Sequence, residues 1–245
     1  MVLAFQIRKI VILMFVLVQP LLGLDSAELD RLIDCPTAGL LGKGRYAVGL
    51  RLFADGGILT KVQAGALKRL TIGLSFGARH LIGRGKIDWQ PRAEVEVRYR
   101  AIEESAVSPA LALGYESQGY GPNISGNYEN KPKGFFGVLS KNYMSAFGQF
   151  GLHAGFNFSS EANTGSEPRG WFGLDKGLNE DLSALFEYEM PLNDLDSAKG
   201  VFNIGVNWIL SSVLHIRMFG KDISLRDKLH SDPSRELAIV YSENF

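Results

Sequence analysis

From Gly44 onward, apolar and polar residues alternate with a period of two, the mark of strands with one apolar face. In 45–53, Tyr46, Val48, Leu50 and Leu52 fall on one side, and Arg45, Ala47, Gly49 and Arg51 on the other. The scheme recurs in 70–79, 93–101, 148–159, 201–210 and 213–221. Weaker versions occupy 57–66, 108–117, 133–141, 169–177, 181–190 and 235–245. Together these predict about twelve strands of roughly nine or ten residues, a length that crosses a bilayer when tilted.

The connections carry a second pattern. Segments 79–92, 118–132, 159–168, 190–200 and 222–234 are long and rich in turn residues, whereas 67–69, 102–107, 142–147, 178–180 and 211–212 are short. Long and short alternate, except that 54–56 is short where a long loop is due. An antiparallel up-and-down barrel with loops at one rim and turns at the other produces this asymmetry; a Greek-key sandwich does not.

Periodicity alone leaves open which face is inside, so residue choice decides. The polar faces hold much Gly and charges of both signs: Arg45, Arg51, Arg79, Glu94, Glu96, Arg98, Arg100, Glu116, Asp175, Glu187, Glu189 and Arg217. Gly weakens a solvent-facing strand, whereas small residues among opposed charges suit a crowded lumen. The expectation is a membrane barrel with apolar residues toward lipid and these charges inside. Such charges either pair to plug the lumen or polarise a pore.

Composition agrees. Gly is 28 of 245 residues, and 26 basic residues balance 26 acidic ones, which removes the electrostatic case for nucleic acid. Arg8 and Lys9 precede an apolar run from Ile10 to Val18 and then Pro20, so 1–23 reads as a secretory signal peptide. An N-terminal entry segment, 24–43, follows, and 44–245 forms the barrel. Cys35 is the sole cysteine and reads as a buried thiol. Leu237, Ile239, Tyr241 and the terminal Phe245 share one face, which resembles the assembly signal that outer-membrane barrels present to the barrel-assembly machinery; Glu243 interrupts the alternation.

The chain resembles the YjbH-like family of bacterial outer-membrane β-barrels. The resemblance rests on 36–44 (Pro-Thr-Ala-Gly-Leu-Leu-Gly-Lys-Gly), 82–89 (Ile-Gly-Arg-Gly-Lys-Ile-Asp-Trp), 109–121, Ser140-Lys141-Asn142-Tyr143 and the last strand. It implies an outer-membrane location, contact with membrane lipid, and an association with exopolysaccharide export or envelope biogenesis, with export partners. It brings no catalytic set and no cofactor.

The residues themselves offer little chemistry. His80, His153, His215 and His230 form no metal-spaced motif. His153 or His215 paired with Ser75 or Ser183 would make a lipid hydrolase, but no third group or Gly-x-Ser-x-Gly elbow supports it. In loop 118–132, Tyr120, Asn123, Asn127 and Tyr128 place aromatic faces beside amides, a composition suited to glycan contact and equally to a flexible turn. A non-specific small-solute porin and a soluble periplasmic carbohydrate-binding protein remain as rival readings.

Overall fold

The computed structural model describes residues 19–20, 28–124, 126–146, 148–159, 161, 168–192, 200–223 and 233–245. The signal-peptide stretch lies outside them, apart from Gln19–Pro20, which pairs with Tyr143 and Met144. The barrel strands are β1 (Arg45–Phe53), β2 (Gly57–Leu67), β3 (Leu70–Arg79), β4 (Glu94–Ile102), β5 (Ala110–Glu116) and β6 (Gly134–Ser145). They continue with β7 (Gly148–Phe158), β8 (Pro168–Gly177), β9 (Leu182–Pro191), β10 (Val201–Ser211), β11 (Leu214–Lys221) and β12 (Ser234–Asn244).

Each strand pairs antiparallel with its neighbours in sequence order. The ring closes where β12 pairs with β1, for example Ile239 opposite Leu50. Closure leaves no unpaired sheet edge. Register shifts occur at Gly65/Leu67, Arg100/Ile102 and Ile209/Ser211, all at the turn rim, where an extra residue bends a strand without disturbing the ladder beneath it.

The short connection at 54–56 sits on the loop rim. Asp55 and Gly56 both take positive φ, 58° and 61°, in a tight turn that Gly57 N–H closes by donating to Ala54 O at 3.2 Å. The next loop folds over this turn: His80 N–H donates to Asp55 O at 3.0 Å and Ile82 N–H to Gly56 O at 3.1 Å. A Cβ on Gly56 would lie 1.9 Å from Ile82 O, so glycine is needed for the overlap.

The outer surface is apolar. Leu74 is 60% exposed and Phe135 67%, and Val62, Phe156, Phe172 and Met218 stand on the same side. The inner surface buries Glu94, Glu96, Arg98, Glu116, Glu187 and Arg217. In water this arrangement would expose a continuous apolar surface while burying charge. It is stable with lipid outside, so the faces are those of a transmembrane barrel and the soluble reading is excluded. The protein is an outer-membrane barrel of the bacterial kind.

Candidate functional site: a lumen filled by its own entry segment

The lumen is occupied by residues 28–43, which enter from the turn rim, reverse near Asp34, and return to that rim to start β1. Hairpin-like bonds hold the reversal: Leu32 N–H donates to Cys35 O at 3.0 Å and Thr37 N–H to Asp30 O at 3.1 Å. The segment has no period-two pattern because it has no sheet partner. Its backbone groups are satisfied by wall side chains instead.

Wall carboxylates take the plug's donors. Glu187 Oε2 on β9 accepts the backbone N–H groups of Ile33, Asp34 and Cys35 at 3.1, 2.9 and 2.7 Å. Its other oxygen accepts Asn203 Nδ2 at 2.8 Å. Arg31 of the plug donates to Glu116 on β5 at 2.7 Å, and Lys61 meets Glu116 at 2.9 Å and Glu96 at 2.6 Å. The Cys35 thiol donates to Glu189 at 3.3 Å, and Lys133 and Arg169 pair with Glu189.

Wall cations take its acids. Asp34 takes Arg51 at 2.9 Å, Lys221 at 2.7 Å and the Tyr120 hydroxyl at 2.7 Å. Asp30 takes Arg217 at 3.2 Å, and Glu28 accepts from Arg100 at 3.0 Å. Arg98, 1% exposed, donates to Gly39 O at 3.0 Å and pairs with Glu96 at 2.6 Å. Burial by itself would raise the Asp34 carboxyl, but Lys221, Arg51 and Lys133 hold it well below the ordinary carboxylate value. Asp30 is likewise lowered overall: burial pushes it up, and Arg217 and Arg98 more than offset that.

Apolar contacts complete the fit. Cys35 and Ala38 pack against Ala110, Ala112, Phe136, Val138 and Trp171; Leu32 and Ile33 pack against Leu185, Phe219 and Ala238. Wall glycines make the space: a Cβ on Gly173 would lie 1.9 Å from Leu32 Cδ1, and one on Gly65 would lie 1.9 Å from Gly42 O.

Of the charges expected in the lumen, Arg51, Glu96, Arg98, Arg100, Glu116, Glu187, Glu189 and Arg217 lie in these networks. Glu94 is buried beside Arg92 at 2.9 Å, and Arg79 sits at the loop rim with Asp55 and Asp88. Arg45 stands at the turn rim, its buried Nε without a hydrogen-bond partner among the described residues. The sequence reading left out partners of these charges: Glu28, Asp30, Arg31 and Asp34 in the plug, and Lys61, Lys133 and Glu236 around it. Lys61 and Glu236 lie on the polar parity of their strands, so the alternation that exposed the other charges would have found them.

The loop expected to display Tyr120, Asn123, Asn127 and Tyr128 is instead a small hairpin, Tyr120–Ile124 against Asn127–Asn130. Tyr120 is buried, with Arg51 4.6 Å and Lys221 4.7 Å from its ring centroid and Phe53 edge-on at 5.2 Å. Tyr128 is buried as well. Neither ring stands free for stacking, because desolvated cations already hold Tyr120 and Gly119 lies against the Tyr128 ring.

His153 finds neither Ser75 nor Ser183 but Ser140: Nδ1 lies 2.8 Å from Ser140 Oγ and Nε2 2.8 Å from Asp175 Oδ1. The same Ser140 Oγ accepts Ala38 N–H of the plug at 2.8 Å. The three groups form a relay across β6, β7 and β8 that fastens the plug. Among the described residues, no group of three or more His, Cys, Asp or Glu could hold a metal ion.

Around the plug runs a cavity of about 1620 Å³, lined at one rim by Asp55, Pro122 and Asp222 and at the other by Glu104, Gln149 and Asn179.

No protein-family model matches the chain, and no curated protein matches it. Among solved structures it is similar to a KdgM porin, at 8% identity over 82% of this chain and 99% of that one, with a TM-score of 0.53. A NanC porin aligns over 82% of this chain and 98% of that one at 9% identity and a TM-score of 0.42. At such identity the first likeness is one of fold.

Proposed function

We propose that the chain is a diffusive channel for small hydrophilic solutes, narrowed by its own residues 28–43. The observation that carries this reading is the cavity that borders the plug and reaches both rims of a closed barrel. Its lining includes carboxylate, amide and guanidinium groups, among them Glu104, Gln149 and Arg169, which can hydrogen-bond water and polar solutes. The fold likeness to a porin is consistent with it. The finer reading, a YjbH-like role in exopolysaccharide export, rests on the sequence stretches alone; a polymer would have to displace the whole plug, so geometry favours small solutes.

Liposome swelling with purified protein tests the reading. Arabinose should enter proteoliposomes and a tetrasaccharide should enter far more slowly. Vesicles that stay impermeable to arabinose, although the protein migrates as a folded barrel before boiling, would refute it.

A further inference from the structure

We infer that the loop at 80–92 seats a phosphorylated glycolipid of the outer leaflet against the outside of the barrel. In outer-membrane barrels the long loops face out of the cell and the short turns face the periplasm, so the loop rim meets the outer leaflet. The seat lies on the outer surface and stands whether or not the lumen conducts.

The loop is apolar at positions that water would otherwise surround. Ile82 is 58% exposed and Trp89 56%, and Leu81 and Ile87 are exposed as well. Two fixed points hold it to the wall. At one end, Ile82 N–H bonds to the Gly56 turn at 3.1 Å. At the other, Asp88–Trp89 pairs with Ala78 and Arg79 of β3, and Gln90 N–H donates to Gly77 O at 3.0 Å. Trp89 stands opposite Ala78, which shares the outer parity of Leu74 and Phe76, so its indole points to the lipid side. The ring stacks on Phe76 at 5.9 Å. The loop thereby extends the lipid-facing surface to its rim, the level at which Trp settles at a membrane boundary.

The charge of the loop is one-sided. Segment 80–92 holds three cations, Arg84, Lys86 and Arg92, and one acid, Asp88. Asp88 is taken by Arg79 at 3.5 Å, and Arg92 is taken by Glu94 at 2.9 Å. Arg84 and Lys86 are exposed and meet no carboxylate among the described residues. Two unpaired cations between Ile82 and Trp89 fit an anionic amphiphile, with acyl chains on Trp89 and Phe76 and phosphates on Arg84 and Lys86. Inorganic phosphate would leave the apolar residues in water, and a neutral lipid would leave the cations without partners. A lipid with two phosphates on a sugar headgroup meets both needs, in the leaflet where the loop lies.

The test titrates full-length protein in detergent with bisphosphorylated lipid A, its dephosphorylated form, cardiolipin and inorganic phosphate, and counts bound lipid by native mass spectrometry. Bisphosphorylated lipid A should be retained, and loss of its phosphates should weaken binding about tenfold or more. Arg84→Gln and Lys86→Gln should each lower affinity about fivefold, the contribution of one basic residue at an anionic membrane surface. Trp89→Ala should lower it severalfold. Heat-modifiable migration and arabinose uptake should stay those of the parent in both cation variants, because neither side chain has a partner in the fold to lose. Equal retention of the two lipid A forms, displacement by inorganic phosphate, or tighter binding of cardiolipin overturns the seat. So does unchanged affinity in the double variant, or a dimer of the chain that the double variant dissolves with no lipid retained. None of these outcomes touches the channel, which arabinose uptake decides separately.

Discussion

Glu187 Oε2 lies 2.7 Å from the backbone nitrogen of Cys35, joining the wall to a tight reversal of the chain in mid-lumen. With the bonds to Ile33 and Asp34, one carboxylate oxygen anchors three residues of the plug. Hydrogen bonds to a charged group contribute about 1.5–3 kcal/mol each when their geometry is good. Sharing one oxygen lowers the sum, yet loss of the carboxylate still leaves three buried donors unmet.

Cys35 reports on this anchor directly. It is the only cysteine, it is fully buried, and burial together with Glu187 pushes its thiol up. Maleimide should label the native protein slowly and the denatured protein completely. Glu187→Ala should speed native labelling by about a hundredfold, the equivalent of ~2.7 kcal/mol, and Glu187→Gln less, because an amide oxygen still accepts. Equal labelling of Glu187→Ala and the unaltered protein would count against the anchor.

Two inner-face glycines should differ sharply. Gly65→Ala drives a Cβ into Gly42 O and Leu41 O, both backbone atoms, so the plug's return limb must move. Gly49→Ala meets Lys61 O and Val240 Cγ2 at 3.9 Å, an ordinary contact. Gly65→Ala should raise Cys35 labelling while keeping heat-modifiable migration; Gly49→Ala should match the parent in both.

Acid should loosen the plug late. The Asp34 and Asp30 carboxyls are lowered from 3.8, so the docking they stabilise is fully present above that ordinary value and is lost as pH falls through their lower values in the folded protein. Planar-bilayer conductance should therefore stay constant from neutral pH to about pH 4 and rise only below it. In Asp34→Asn, conductance should already be raised at neutral pH, because Arg51 and Lys221 lose their shared acid. A rise beginning near pH 6 in the unaltered protein would contradict the assignment.

Ser140 and His153 should act as fasteners. Ser140→Ala removes the acceptor of Ala38 N–H and strands a buried donor, at a cost of about 1–3 kcal/mol. Cys35 labelling should rise in Ser140→Ala and in His153→Ala. Phospholipid hydrolysis by the parent that disappears in both variants would instead establish the hydrolase reading.

The terminal Phe245 stacks on Tyr46 at 5.7 Å, and its N–H donates to Gly44 O at 2.8 Å where the last strand closes on the first. We propose that the face of Leu237, Ile239, Tyr241 and Phe245 is read during assembly. Phe245→Ala should reduce recovery in the outer membrane severalfold, measured by fractionation, with unchanged migration of whatever protein does assemble.

How far the chain can be read without its structure depends on the range of each interaction. Strands such as Phe150–Phe158 and Phe202–Trp208 show their two faces because a strand's side chains alternate whatever lies beyond them. Twelve such runs, with loop lengths alternating between them, determine the barrel, its strand order and the parity of Arg51, Glu96 and Arg217. The same parity extends to Lys61 and Glu236, single charges beside uncharged inner-face residues such as Gln63 and Ala238.

Residues 28–43 show no period because they pair with no strand. Their partners are Glu187, Arg51, Arg98 and Arg217, drawn from four strands far apart in sequence and brought together only by closure of the ring. Alternation is local and survives in the sequence. The filling of the lumen was decided by the tertiary structure alone, because a buried charge selects its partner by distance across the barrel, which no spacing along the chain encodes.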